Sequence, residues 1–271
     1  MGKTYLMILL ARYAHIQGKR VLFICTEMDR VSIATRFFGI DLGFEPREIR
    51  RAGLSQDEER VFFEKMVGYD NKLGFGLLGD DTKPTIENIE SAILNYKPDI
   101  VFIDGVYLVK TSERGDRHAK VSHVADELTR ISKQRNVCIV GSHQFNRDVD
   151  SDDIDTASLD RLGITDVVGW NATNVYALFQ TMDMKSDNEM MFIPLKERNG
   201  GGRRFIVNWD FEELEFSEIR GEEDGEGSEV GGLNKGGDDS VFSGIGDETF
   251  ESDSSVIDEV DLDDVDLDLP F

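Results

Sequence analysis

Three short stretches of this sequence hold residue types that could act together on a phosphate ester. The first is Gly2-Lys3-Thr4, followed at once by apolar residues at helical spacing, Leu6, Met7, Leu9, Leu10 and Tyr13, a pattern that stops at Gly18. Backbone N–H groups at a helix N-terminus attract anions, a lysine beside them reaches terminal phosphates, and the hydroxyl can ligate Mg2+. The triplet therefore reads as the second half of a phosphate-binding loop, whose whole pattern is Gly, four residues, Gly-Lys-Ser/Thr. Gly2, Lys3 and Thr4 become candidate nucleotide contacts and Thr4 a candidate metal ligand. Three residues alone are a weak pattern. Asp104 strengthens it, because it closes an apolar strand, where a carboxylate is costly unless it serves a cation or hydrogen bonds. Glu27 follows the run Val21-Leu-Phe-Ile-Cys25 in the same manner. Open α/β sheets bind ligands at the carboxyl ends of their strands, so Asp104 is a candidate metal ligand and Glu27 a candidate base for an attacking water. Each acid alone reads as an ordinary strand-end residue; behind Gly-Lys-Thr, the pair reads as catalytic.

The elements that must position these residues are legible as short apolar runs at 20–26, 99–104, 136–141 and 175–179, separated by helical patterns at 29–38, 56–67, 86–96 and 119–134. Strands apolar on both faces and alternating with helices imply an α/β domain with a parallel sheet covered on two sides. The later runs 190–196 and 204–209, joined by Asn199-Gly-Gly-Gly202, read as a β-hairpin appended to that sheet. No internal repeat is visible. The two cysteines, Cys25 and Cys138, each lie in an apolar run expected to be a buried strand, which leaves no disulfide framework or metal-spaced cluster and fits a reducing cytosol. No apolar run is long enough to cross a bilayer, and a secretion signal is not evident at the start; no membrane partner is expected.

Charge divides the chain. Residues 221–271 carry 18 acidic residues and a single basic one, which accounts for 17 of the net −24. That segment, rich in Gly, Ser, Asp and Glu, cannot build a core and reads as a disordered acidic tail behind a folded unit of residues 1–220. Its end alternates aliphatic and acidic residues and finishes Asp266-Leu-Asp-Leu-Pro-Phe271.

Across residues 1–219 the sequence resembles the DnaB family of replicative helicases, phage members included. The resemblance is carried by Met1-Gly-Lys-Thr4, Thr26-Glu-Met28, Gly53-Leu-Ser-Gln-Asp-Glu58, Ile103-Asp104, Asn136-Val137, Gln144-Phe-Asn-Arg147 and Lys196-Glu-Arg-Asn-Gly200. It implies a RecA-like P-loop NTPase core that uses ATP and Mg2+, with Lys3 and Thr4 on phosphates and metal, Glu27 activating water and Asp104 supporting the metal. Gln144 would be the sensor linking phosphate state to DNA-binding loops. Lys196 and Arg198 would enter a neighbouring subunit's site, where a guanidinium offsets transition-state charge; by charge pattern alone they read as solvated hairpin residues. A finger acting in trans requires a head-to-tail contact that closes into a ring, here a homohexamer. The partner is single-stranded DNA, gripped through its phosphates.

The DNA-contact candidates are Arg114, Arg117 and Lys120 in the stretch 111–120, with Arg147 at the edge of 148–162. Two departures from the family pattern stand out. The stretch Asp148-Val-Asp-Ser-Asp-Asp-Ile-Asp155 is acidic and would repel a nucleic-acid strand, and Gly105-Val-Tyr107 stands where relatives usually show Tyr-Leu-Gln. Relatives also place a methionine directly before Gly-Lys-Ser/Thr, so Met1 reads as a boundary inside the loop; the first glycine of the loop and the strand before it would precede it, and the chain as it begins is expected to bind and hydrolyse ATP weakly. The tail's tip is similar to that of bacterial single-stranded DNA-binding proteins. Leu267, Leu269, Pro270 and Phe271 are thus candidate contacts for a primase, polymerase or helicase loader, against the plainer reading of a solubilising tail. Alternative readings of the whole chain are a RecA/RadA-like recombinase ATPase and a non-catalytic replisome interaction fragment.

Overall fold

The computed structural model of the protein describes residues 2–70, 74–79, 84–144, 169, 171–198, 200, 202–211 and 216–221. The first of two sheets is parallel. Strands β1 (Val21–Cys25), β2 (Phe75–Leu78), β3 (Ile100–Asp104) and β4 (Cys138–Gly141) lie in the order β2-β1-β3-β4. Cys25 pairs with Asp104, which sets the carboxyl ends of β1 and β3 level.

Side chains alternate across this sheet as a pleated strand requires. Val21, Phe23 and Phe102 face α1 (Lys3–Ile16) and α2 (Arg30–Leu42), meeting Met7, Ile8, Ala11, Ile33 and Phe37. Leu22, Ile24, Val101 and Ile103 face α5 (Ile86–Tyr96) and α6 (Arg117–Arg135), meeting Ile89, Ile93, Val124, Leu128 and Ile131. Two further helices, α3 (Pro46–Arg51) and α4 (Gln56–Asp70), follow α2. The covered parallel sheet expected from the apolar runs is therefore present.

Local signals explain where the helices begin. Asp29 accepts the Ser32 N–H at 2.7 Å, Thr85 the Asn88 N–H at 3.2 Å and Asp116 the Ala119 N–H at 2.8 Å, each an N-cap. At α4, Ser55 and Glu58 form a reciprocal capping box: Glu58 accepts the Ser55 N–H at 2.8 Å and Ser55 Oγ accepts the Glu58 N–H at 3.3 Å.

Four expectations are corrected. The run 175–179 does not join the parallel sheet, and the hairpin is not appended to it. Strands β5 (Asn174–Phe179), β6 (Glu189–Glu197), β7 (Phe205–Asn208) and β8 (Glu218–Gly221) form a separate antiparallel sheet in chain order. The reason is a second apolar surface: Met190, Phe192, Val207, Trp209 and Phe216 pack with α1, so that helix is covered on two sides. Gly221, assigned above to the tail, closes β8. Cys138 is exposed while Cys25 is buried, because β4 is the last strand of its sheet. The tail beyond 221 lies outside the described residues. Among the described residues, no helix is long and apolar enough to cross a membrane.

Candidate nucleotide-binding site

The site lies where α1 begins and β1 and β3 end. Gly2 caps α1 with φ 115°, no side chain caps the helix, and its first turn holds no acid. The first amides of any helix lack intrahelical partners and sit at the positive end of its dipole, so this end suits an anion. A glycine is needed there twice over. The φ value is one that other residues rarely adopt, and a Cβ would lie 3.1 Å from the Trp209 ring.

Lys3, the first residue of α1, holds its ammonium inside the protein, and Nζ makes no hydrogen bond among the described residues. Burial pushes its pKa below the ordinary lysine value, while the charges of Glu27 and Asp104 pull it back up. Both acids are thus within electrostatic reach of one ammonium.

Asp104 is 1% exposed. Its Oδ1 accepts the Ser142 hydroxyl at 2.8 Å, and the same Oγ accepts the Gly105 N–H at 2.9 Å. Its Oδ2 is buried with no hydrogen-bond partner among the described residues. The backbone behind it is pinned by Thr26, whose hydroxyl donates to the carbonyls of Asp104 and Gly105. Gly105 takes φ 103°, and a Cβ on it would come within 2.7 Å of Thr26 Oγ1. Burying an ammonium and a carboxylate oxygen without partners costs free energy. Such a pair fits a ligand that brings both anionic oxygens and a cation.

Glu27, exposed at the end of β1, accepts a hydrogen bond of 2.9 Å from the Tyr107 hydroxyl at Oε2. Tyr107 sits in a single 3-10 turn, Val106–Leu108. The Gln144 side chain is close enough to the Tyr107 hydroxyl to lower its pKa against the larger upward effects of burial and Glu27. The tyrosine ring lies 5.6 Å from Lys3 Nζ, 5.9 Å from the Arg117 guanidinium and 5.5 Å from the His143 ring. The structure therefore brings Lys3, Glu27, Asp104, Gln144 and Arg117 around one tyrosine.

The other expected residues stand elsewhere or less closely. Thr4 is in the first turn of α1. Gln144 is exposed, three residues beyond β4. Arg114 and Lys120 are exposed, in the loop before α6 and in its first turn. Lys196 and Arg198 belong to the second sheet and its edge: Lys196 Nζ donates to the Gly169 carbonyl at 2.6 Å, and burial followed by the Arg198 charge lowers its pKa. Arg147, Leu267, Leu269, Pro270 and Phe271 lie outside the described residues. Sequence reasoning missed Tyr107 and Ser142 as site residues. The signal for Tyr107 was present in the departure at Gly105-Val-Tyr107; Ser142 had none.

Residues 1–218 match the DnaB-like helicase C terminal domain. The chain belongs to that family. No curated protein matches it by sequence. Among solved structures it is similar to an ATPase domain, with a TM-score of 0.71 and 18% identity, covering 81% of each chain. It is also similar to a DnaB-like replicative helicase described with its interactions with primase, with a TM-score of 0.70 and 18% identity, over 80% of this chain and 54% of that one. These likenesses show the RecA-like ATPase fold. The family match thus makes this chain a DnaB-like helicase domain, and the likenesses give it the fold of such ATPase domains.

Proposed function

We propose that this DnaB-like motor domain takes ATP and Mg2+ at the Lys3 site and couples hydrolysis to movement along single-stranded DNA in a homohexameric ring. The observation that carries the reading is the convergence of the buried Lys3 ammonium, the half-partnered Asp104 carboxylate and Glu27 at the open N-terminus of α1.

Each residue then has a task. Lys3 and the first amides of α1 bind phosphate oxygens. Thr4 and Asp104 would hold Mg2+, which when bound offsets phosphate charge. Ser142 occupies one oxygen of Asp104 and so leaves Oδ2 for the ligand. Glu27 orients a water and accepts its proton. Gln144 reports on the phosphates, and Lys196 and Arg198 complete a neighbour's site. Arg117, with Arg114, Lys120 and Arg147, contacts DNA phosphates, and Leu267, Leu269, Pro270 and Phe271 engage a primase, polymerase or loader.

The test is phosphate release from Mg2+-ATP with oligo(dT), comparing the 271-residue chain with Glu27→Gln and Lys3→Ala. A general base contributes about 100-fold or more, so Glu27→Gln should lower turnover by that factor while nucleotide still binds, and Lys3→Ala should lose binding as well. Nucleotide bound as tightly by Lys3→Ala as by the native chain, or measurable native turnover that Glu27→Gln leaves unchanged, would overturn the assignment.

A further inference from the structure

Tyr107 belongs to none of the roles above, yet it touches most of them. Its hydroxyl donates to Glu27 Oε2 at 2.9 Å, and the Gln144 side chain lies close enough to act on its pKa. The tyrosine ring neighbours Lys3, Arg117 and His143. Burial first, and then the hydrogen bond to Glu27, pushes the phenol up to about 12, so at neutral pH it is a protonated donor.

Its backbone is held as firmly as its side chain. The turn Val106–Leu108 is fixed on one side by Gly105, whose φ of 103° and closeness to Thr26 admit only glycine, and on the other by the Val106 N–H donating to the Ser142 carbonyl at 3.0 Å. The same Ser142 orients Asp104. The turn that carries Tyr107 and the acid at the end of β3 are thus tied to each other through Ser142. Arg117, by contrast, is an exposed residue at the start of α6, reached through a loop.

We infer that Tyr107 is a positioning residue joining the two ends of this motor: it holds the Glu27 carboxylate through its hydroxyl and carries the Arg117 guanidinium on its ring, so that a DNA strand engaging Arg117 alters the hold on Glu27. A cation over a tyrosine face is a weak contact at an exposed site, so a phosphate can compete with it. A hydrogen bond to a charged group is stronger, which makes the hydroxyl the part that transmits. This inference rests on the proposed function, because it presumes nucleotide at Lys3 and DNA at Arg117.

Coupling between two ligands is reciprocal and measurable from binding alone. A fluorescent ATP analogue with Mg2+ would be titrated into the whole chain with and without saturating oligo(dT), and the two affinities compared. In the native chain their ratio should be about fivefold or more, the lower range of such coupling. Tyr107→Phe keeps the ring but lacks the hydroxyl: its affinity without DNA should stay within about twofold of native, while the ratio falls to near one. Tyr107→Leu, which lacks the ring too, releases Arg117 from its competitor and should in addition tighten oligo(dT) binding. A native-like ratio in Tyr107→Phe, or no effect of DNA on nucleotide in the native chain, overturns the inference. Lys3→Ala separates this from failure of the functional reading: native-like nucleotide affinity in Lys3→Ala sinks that reading, whereas loss in Lys3→Ala with an unchanged ratio in Tyr107→Phe sinks only the role of Tyr107.

Discussion

At the scale of single residues, the site depends on side chains that are buried and only partly satisfied. Asp104 keeps one oxygen bonded to Ser142 and presents the other without a partner among the described residues. Ser142→Ala removes a donor from a buried carboxylate and an acceptor from the Gly105 N–H. The cost should be about 1–3 kcal/mol, read as a lower denaturation midpoint in urea, together with weaker Mg2+ dependence of nucleotide binding. His143 offers a pH test. Burial holds its imidazole pKa below the ordinary value, opposed by the hydrogen bond between its Nδ1 and the Gln144 carbonyl and reinforced by the charges of Lys3 and Arg117. A depressed folded-state pKa means that the unfolded chain takes up the proton first, so the stabilisation is complete above the unfolded value near 6.5 and is lost as pH falls below it. Denaturation between pH 7 and 5 should therefore steepen in the native chain relative to His143→Gln, to about the extent of a single titrating group; parallel curves would refute this. Lys3, Glu27 and Asp104 were legible in the sequence because each follows or opens an apolar run. Ser142 was not, since a serine after a strand is common and only the fold sets its hydroxyl against Asp104.

The elements show why the sequence was readable to this degree. Runs such as Val21-Leu-Phe-Ile-Cys25 and Ile100-Val-Phe-Ile-Asp104 are apolar on both faces, and both faces are covered. The expected α5, at 86–96, coincides with the observed Ile86–Tyr96, where Thr85 marks its start. Strand β2 was not legible: Phe75-Gly-Leu-Leu78 has a glycine within it, no residue of the strand is fully buried, and only the neighbouring β1 makes it a strand. Equally hidden was the pairing of β5, which shares the apolar texture of the parallel strands but runs antiparallel to β6. The turn after β3 gives an element-scale prediction. Gly105→Ala places a Cβ at positive φ and 2.7 Å from Thr26 Oγ1, so it should destabilise the protein by about 1–3 kcal/mol and displace Tyr107. Hydrogen exchange at residues 104–108 would quicken if so, and native-like protection would show the turn tolerates a side chain.

For the whole molecule, α1 is the part that joins the rest. It opens the nucleotide site, packs on the parallel sheet through Ile8 and Ala11, and packs on the second sheet through the cluster around Trp209. Trp209 is 6% exposed and meets Phe192, Phe211 and Phe216 edge to face. Its indole also lies against Gly2, so a change there reaches the site. Trp209→Ala should cost about 3–5 kcal/mol in stability and weaken nucleotide binding through the end of α1; lost stability with unchanged nucleotide affinity would mean that the second sheet supports the fold alone. The sequence showed a hairpin here but not its seat, because burial against α1 is a property of two distant segments. The measurement that bears most directly on the central claim is equilibrium titration of a fluorescent ATP analogue into the native chain, Lys3→Ala and Asp104→Asn, each with Mg2+ and with EDTA. Saturable binding that falls at least about tenfold in Lys3→Ala, and that loses its Mg2+ dependence in Asp104→Asn, is the result expected of residues gathered around one triphosphate. Equal affinities and equal metal dependence in all three proteins would contradict it.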